Sequence, residues 1–341
     1  MEKPNLPNKV MVRECAIRDG FQSKEKFIAT DAKIFLANAI VDAGFRFVDT
    51  TDYSTSERVP QFRDRDELFR RIKRDPAVEY VGIAHKLDSA ERAVEAKLAG
   101  HGPDMLEMCI ATSEPRNEAY FGLTHNETWR TFERAIKLTA DAGMKFQICL
   151  ITIWSCPFKG RMDPKLAVEF ADRAVEMGCT SLCHSDPYGD TTPAQTFEYF
   201  STITDRHPDV EHYFHNHDWR GFGIANYVAA MQAGVRRFDT SLGGIGGWFS
   251  SFVDGIPVTG AVEPRERPGR TGLVSTEDFI LMCDAMGIET GIDINKMLTA
   301  GHWVEKIVGQ RLNSIGLPWG PVTKAPRPGR WPASHGKSSH G

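Results

Sequence analysis

Short apolar runs alternate along the chain with longer segments whose apolar residues recur at helical spacing. This is the pattern of repeated strand–helix units around a parallel sheet. Runs at 9–15, 46–51, 79–84, 105–112, 145–152, 180–185, 211–217 and 235–240 predict eight strands. Helical periodicity between them predicts helices at 31–43, 65–73, 89–98, 126–142, 164–177, 193–204 and 224–233. Gly44, Gly100, Gly143, Gly178 and Gly234 each stand just before the next strand, where a helix C-cap belongs. An eighth helix is expected from the cap at Ser275-Thr276-Glu277-Asp278 to Met286. Eight such units predict an α/β fold of the (β/α)8 TIM-barrel type. An open doubly wound sheet is the competing fold, but its first turn is normally Gly-rich. Here that turn is Ala16-Ile17-Arg18-Asp19-Gly20.

Two segments fall outside the repeat. Residues 242–274, after strand eight, include Pro264-Arg265-Glu266-Arg267-Pro268-Gly269-Arg270 and are long enough to predict a lid or binding loop. A last helix is expected at 294–309, followed by a tail whose end, 334–341, is expected to be disordered. The predicted organisation is a catalytic barrel over 1–290 and a helical extension with a flexible tail over 291–341.

The chain carries 41 basic and 45 acidic residues among 341, with no basic run, so nucleic acid is not an expected partner. No apolar run reaches membrane-spanning length, and the first residues lack a signal-peptide core. Seven scattered cysteines without zinc spacing suit reduced thiols and a cytoplasmic location.

The candidate chemistry centres on His215-Asn216-His217. Residues two apart on a strand share a face, so His215 and His217 project together and can take two positions on a divalent cation. In a barrel the chemistry sits at the C-terminal strand ends. Those ends carry Arg18 and Asp19, Asp49 and Asp52, Glu114, His184 and Asp186, and the two histidines. Asp19 offers a third ligand, and no cysteine is placed to make a thiolate site. Oxygen and imidazole donors suit Mg²⁺, Mn²⁺ or Zn²⁺; the same ligand set also serves Fe(II) oxygenases. A pair of ordinary hydrogen-bonded histidines is the plain alternative.

Glu14-Cys15-Ala16-Ile17-Arg18-Asp19-Gly20-Phe21-Gln22 resembles the E-x-x-x-R-D-G-x-Q motif of the 3-hydroxy-3-methylglutaryl-CoA lyase family, within the DRE-TIM metallolyases. The segments Val59-Pro60-Gln61, Ser113-Glu114, Cys156 to Gly160 and Asp186-Pro187-Tyr188-Gly189 follow in the expected order. So do His215-Asn216-His217-Asp218, Ala225-Asn226, Asp239-Thr240-Ser241 with Gly246-Gly247, and Ser275 to Asp278. The resemblance implies Asp19, His215 and His217 as metal ligands, with Arg18 beside a developing enolate. Substrate contacts are expected at Gln22, Asp186, Asn226 and Trp248, with an acyl-CoA thioester as the small-molecule substrate and a homo-oligomeric assembly.

Three departures stand out. Trp248 follows Gly246-Gly247 where the family carries a catalytic Cys. Leu273 stands where it has a metal-site Asn, and Asp49 stands where it has Glu. With no thiol at that loop, His184 is the first expected proton carrier, and Glu114 and Asp49 are the next. Trp248 and Phe249 are expected to shape the acyl pocket. The expected activity is metal-dependent carbon–carbon cleavage of a 3-hydroxyacyl thioester other than the family's own substrate. A Claisen-type condensing enzyme, an aldolase for free hydroxy-oxo acids and a non-catalytic scaffold are the alternatives. Only about fifty residues follow the barrel, which favours cleavage over the condensing enzymes with their large C-terminal regions.

Overall fold

The structure is a computed structural model that describes residues 6–250, 252–258 and 272–322. Eight parallel strands close into one ring in sequence order: β1 (Met11–Glu14), β2 (Phe47–Asp52), β3 (Glu79–Ala84), β4 (Met105–Ala111), β5 (Lys145–Ile151), β6 (Ser181–Asp186), β7 (Glu211–Asn216) and β8 (Arg237–Thr240). β8 returns to β1 with Arg13 opposite Asp239 and Glu14 opposite Thr240. Each strand is followed by helix: α1 (Thr30–Asp42), α2 (Arg65–Arg71), α3 (Leu87–Leu98), α4 (Glu114–Phe121), α5 (His125–Asp141), α6 (Lys165–Glu176), α7 (Pro193–Arg206), α8 (Gly223–Gln232) and α9 (Thr276–Met286). The helix α10 (Ile294–Val308) lies along α1, with Phe35 and Trp303 meeting edge to face at 5.2 Å. A single turn, α11 (Gly316–Trp319), follows it. No described helix is long and apolar enough to cross a membrane.

The fold matches the expected barrel, and the elements that periodicity missed are short. α4 was hidden because Ser113-Glu114 reads as the end of a strand. Pro115 in its first turn and Gly122 at a left-handed C-cap mark it instead. After β1 the chain tightens into a π turn, Ala16–Gly20, in which the Cys15 carbonyl accepts from the N–H groups of Arg18, Asp19 and Gly20. The segment 259–271, with the predicted lid residues 264–270, lies outside the described residues, as does the predicted disordered tail.

Between sheet and helices the core is apolar and aromatic, with Phe214, Tyr227, Phe238 and Phe279 in mutual ring contact. The barrel interior is different. Arg13 is 1% exposed. Its Nε donates to Asp239 at 2.8 Å, Nη1 to Gln147 at 2.7 Å, and Nη2 to Glu107 at 2.9 Å and Asp239 at 2.5 Å. A charged layer here survives because each carboxylate faces the guanidinium that compensates it. Glu14 closes the mouth between β1 and β8: one oxygen accepts from the N–H groups of Ala16 and Leu242, each at 2.9 Å, and the other from the Thr276 hydroxyl at 2.5 Å. Burial pushes the Glu14 carboxyl up to about 8, against these donors.

Candidate metal centre and active site

At the C-terminal mouth, β7 ends in His215 and β1 runs into the turn that carries Asp19. The intervening β8 brings the two within reach. The His215 and His217 Nε2 atoms lie 3.3 Å apart, and His217 Nε2 lies 4.0 Å from Asp19 Oδ2. Asp19, His215 and His217 thus offer three ligand atoms, all within 4.8 Å of one another, from buried side chains. Two nitrogens each ~2.1 Å from a common ion sit about 3 Å apart when they subtend a near-right angle. The imidazole pair has that spacing.

The surroundings suit the same purpose. Asp239 Oδ2 lies 2.9 Å from His215 Nδ1. Its carboxyl is buried, which alone would raise it, but Arg13 and His215 hold it below the usual range. As a carboxylate it accepts the Nδ1 proton and leaves Nε2 as a lone-pair donor toward the cluster, the usual support of a metal-binding histidine. Asp19 Oδ1 receives Arg18 Nη1 at 3.1 Å and Gln22 Nε2 at 3.0 Å, while Oδ2 receives the Gly247 N–H at 3.2 Å. Gly246 passes so close that a Cβ there would stand 2.2 Å from Asp19 Oδ2, and its φ of +149° also disfavours a side chain. The loop after β8 therefore reaches the carboxylate only because of that glycine. These donors fit a divalent cation held by one carboxylate and two imidazoles.

Arg18 stands beside the cluster. Burial works against its charge, but the Asp49 and Asp19 carboxylates outweigh that and keep it protonated. Its Nε donates to Asp49 at 2.6 Å, and Nη2 has no hydrogen-bond partner among the described residues. A cavity opens above it. Arg18, Asp19, Gln22, Glu107, His215 and His217 form its polar side, and Ile83, Tyr120, Phe121, Ile151, Trp248 and Phe249 its apolar side.

Of the residues singled out in the sequence, Arg18, Asp19, Gln22, His215, His217 and Trp248 meet at this cavity. Asp49 stands behind Arg18 and anchors it. His184, Asp186, Glu114 and Asn226 lie elsewhere. His184 and Asp186 do share a face, but it is the outer face of β6, because Cys183 and Ser185 take the inner one. His184 is wholly buried between Tyr199, 2.8 Å from Nδ1, and His212, 3.0 Å from Nε2. Burial, with His212 beside it, holds it neutral far below the usual range. The Asp186 carboxylate receives the Thr191 N–H at 2.8 Å, and Asn226 donates to the Asn216 side chain at 2.8 Å. Both brace the loops from below. Glu114 accepts the His125 N–H at 3.1 Å on the surface. A cysteine does stand nearby: the Cys183 Sγ lies within 4.8 Å of ligand atoms of His215 and Asp239. Burial pushes its thiol up to about 12, so it stands there protonated.

Sequence reasoning missed Arg13, Glu107 and His85, and placed Asp52 at the end of the second strand without giving it a role. Their signal was present: charged or imidazole side chains inside or at the ends of otherwise apolar strands.

The model of the HMGL-like family matches residues 9–304. The chain belongs to the HMGL-like family. As a member of it, the protein is a carbon–carbon lyase. It is 27% identical over 313 residues to the hydroxymethylglutaryl-CoA lyase YngG of Bacillus subtilis, covering 91% of this chain and 97% of that one. Against the human mitochondrial hydroxymethylglutaryl-CoA lyase it is 26% identical over 309 residues, 91% of this chain and 89% of that one. An HMG-CoA lyase from Acinetobacter baumannii, solved with coenzyme A and 3-methylmalate, superposes with a TM-score of 0.82 at 26% identity, over 96% of this chain and 99% of that one. The loop that departs from the family motif is well packed here. Trp248 rests against Tyr120 at 5.8 Å and under the Arg116 guanidinium at 4.6 Å. Leu273, 1% exposed, bridges to the backbone of His217.

Proposed function

We propose that the protein is a divalent-metal-dependent lyase that splits a 3-hydroxyacyl-CoA thioester by retro-aldol cleavage, on an acyl group other than 3-hydroxy-3-methylglutaryl. The observation that carries this reading is the approach of Asp19, His215 and His217 to one another beside Arg18, at the mouth of the barrel.

Asp19, His215 and His217 would hold the divalent cation, which would supply Lewis-acid polarisation of the substrate's oxygens. The chain's own residues do the rest. Arg18 is fixed by Asp49 and Asp19, so its remaining N–H donors are pre-aimed for the negative charge that the broken bond leaves on the thioester oxygen. Gln22 ties Asp19 to the Gly247 carbonyl and so couples the ligand to the loop after β8. Tyr120, Phe121, Trp248 and Phe249 exclude water from the acyl side, which strengthens every charge contact in the cavity. A bulky indole where the family motif has a small thiol changes both the acid–base chemistry and the shape of the acyl pocket. That substitution is the basis for assigning a different acyl group. The neighbour solved with coenzyme A and 3-methylmalate, a hydroxy dicarboxylate, agrees with a site for thioesters of polar hydroxy acids.

The test is a panel of 3-hydroxyacyl-CoA esters incubated with the protein and Mg²⁺ or Mn²⁺, with products followed by mass spectrometry. The reading predicts chelator-sensitive cleavage of at least one ester other than 3-hydroxy-3-methylglutaryl-CoA. Turnover indifferent to chelator would contradict it.

A further inference from the structure

Retro-aldol cleavage needs one group to take the hydroxyl proton and return it to the carbon that leaves. The sequence candidates for that work are spent or remote: Asp49 on Arg18, Glu114 on the surface, His184 behind the sheet. We propose that His85, oriented by Asp52, is the proton-transferring base of this cavity. The inference rests on the lyase reading above.

His85 directly follows β3, so it stands at the same strand ends as the rest of the site. It is 7% exposed and lines the cavity together with Arg18, Asp19, His215 and His217. Its Nε2 lies 3.0 Å from Asp52 Oδ2, at the end of β2, and Asp52 Oδ1 receives the Ser54 N–H at 2.6 Å. Burial alone would raise the Asp52 carboxyl, but His85 and Ser54 hold it down, to about 2. A carboxylate accepts, so the proton between them belongs to Nε2 and the lone pair to Nδ1. That Nδ1 is buried and has no hydrogen-bond partner among the described residues. A histidine held only for packing would have both ring nitrogens satisfied, as those of His184 are. Tyr120, Phe121 and Phe249 clamp the ring, with centroids 5.8, 5.5 and 6.2 Å away. Phe249 belongs to the loop whose departure from the motif removed the family's thiol. The same region that lost one proton carrier thus packs against another.

The step balances without a co-reactant. Nδ1 takes the 3-hydroxyl proton, the oxygen forms the carbonyl of the departing fragment, and the C2–C3 bond breaks. Its electron pair becomes the thioester enolate, and the imidazolium returns the proton to C2. Asp52 acts through the ring and is a positioning residue.

The experiment separates this inference from the lyase reading by following two reactions in protein supplied with Mn²⁺. One is cleavage of the ester panel. The other is deuterium uptake at C2 of acetyl-CoA and propionyl-CoA in D₂O, which needs the same base in reverse. His85→Gln and Asp52→Asn should each lose about 100-fold or more in kcat and exchange rate, while KM and the thermal midpoint barely move. Asp52→Glu should keep most of the rate, and His85→Asn replaces His85→Gln should the latter melt early. If the wild type cleaves and the His85 variants stay within threefold of it, the inference is overturned and the lyase reading stands. If the wild type exchanges but cleaves nothing, and the variants lose exchange, His85 is supported and the lyase reading fails. If the wild type does neither, both are overturned.

Discussion

Arg13→Met removes the guanidinium inside the barrel that faces both Glu107 and Asp239. Met fills much of the same volume, so the loss is electrostatic rather than a cavity. Deleting one partner of a buried pair costs about 3–5 kcal/mol, because the other charge stays buried and uncompensated. Here one guanidinium serves two carboxylates, at 2.9 and 2.5 Å, all three nearly inaccessible. The upper half of that range is therefore expected, about 4–5 kcal/mol. Asp239 adds a pH signature. Its carboxyl is held low, so its contribution is present above the ordinary carboxylate value of ~3.9 and lost as pH falls through the lower folded value. Without Arg13 that depression shrinks, and acid unfolding should begin at higher pH. Urea unfolding followed by tryptophan fluorescence at neutral and acid pH reads both effects. The double variant Arg13→Met/Glu107→Gln should recover part of the loss, because only Asp239, still bonded to His215, then lacks its cation. A loss under about 1 kcal/mol in the single variant would refute the reasoning, since the carboxylates would then be compensated some other way.

The remaining predictions concern the mouth of the barrel. Arg18→Lys should lower kcat about 10²–10³-fold with the circular dichroism spectrum unchanged, because an ammonium cannot hold Asp49 and Asp19 and still face the substrate; a variant within tenfold of wild type would contradict this. Gly246→Ala places a methyl on Asp19 Oδ2 and should weaken Mn²⁺ binding at least tenfold by titration, on the order of other disruptions around metal ligands. Glu14→Gln should cost under about 1 kcal/mol, since an amide can accept from Ala16 and Leu242 and donate to Thr276, whereas Glu14→Ala should cost about 2–3 kcal/mol in unpaired N–H groups. The Glu14 carboxyl is raised from 4.5 to about 8, so its contribution is full below 4.5 and lost as pH rises through about 8. The Gln variant should flatten that stretch of the stability profile, read by urea unfolding at several pH values.

The barrel was legible because its strands are largely apolar runs and the longer helices carry a clear period. β3 appears over the same residues that the pattern marks. The geometry of the Asp19–His215–His217 cluster was legible in part, since residues two apart on a strand must share a face and β1, β7 and β8 are neighbours in a closed ring. Alternation does not say which face looks inward, however. That is why His184 and Asp186 were read as mouth residues when Cys183 and Ser185 hold that place. The Arg13–Glu107–Asp239 layer was invisible because partners 94 and 226 positions apart meet only once the ring closes. The pairing of His85 with Asp52 escaped notice for the same reason: each alone is an ordinary polar residue at a strand end, and only the 3.0 Å contact makes them a pair.

The most direct test of the central claim is to strip the protein with chelator and titrate it with Mn²⁺, counting free ion by electron paramagnetic resonance. The account predicts one ion bound per chain in the wild type and none of comparable affinity in His217→Ala or Asp19→Asn, with cleavage returning only as the ion is restored. Equal binding by the wild type and both variants, or cleavage at full rate before any ion is added back, would contradict it.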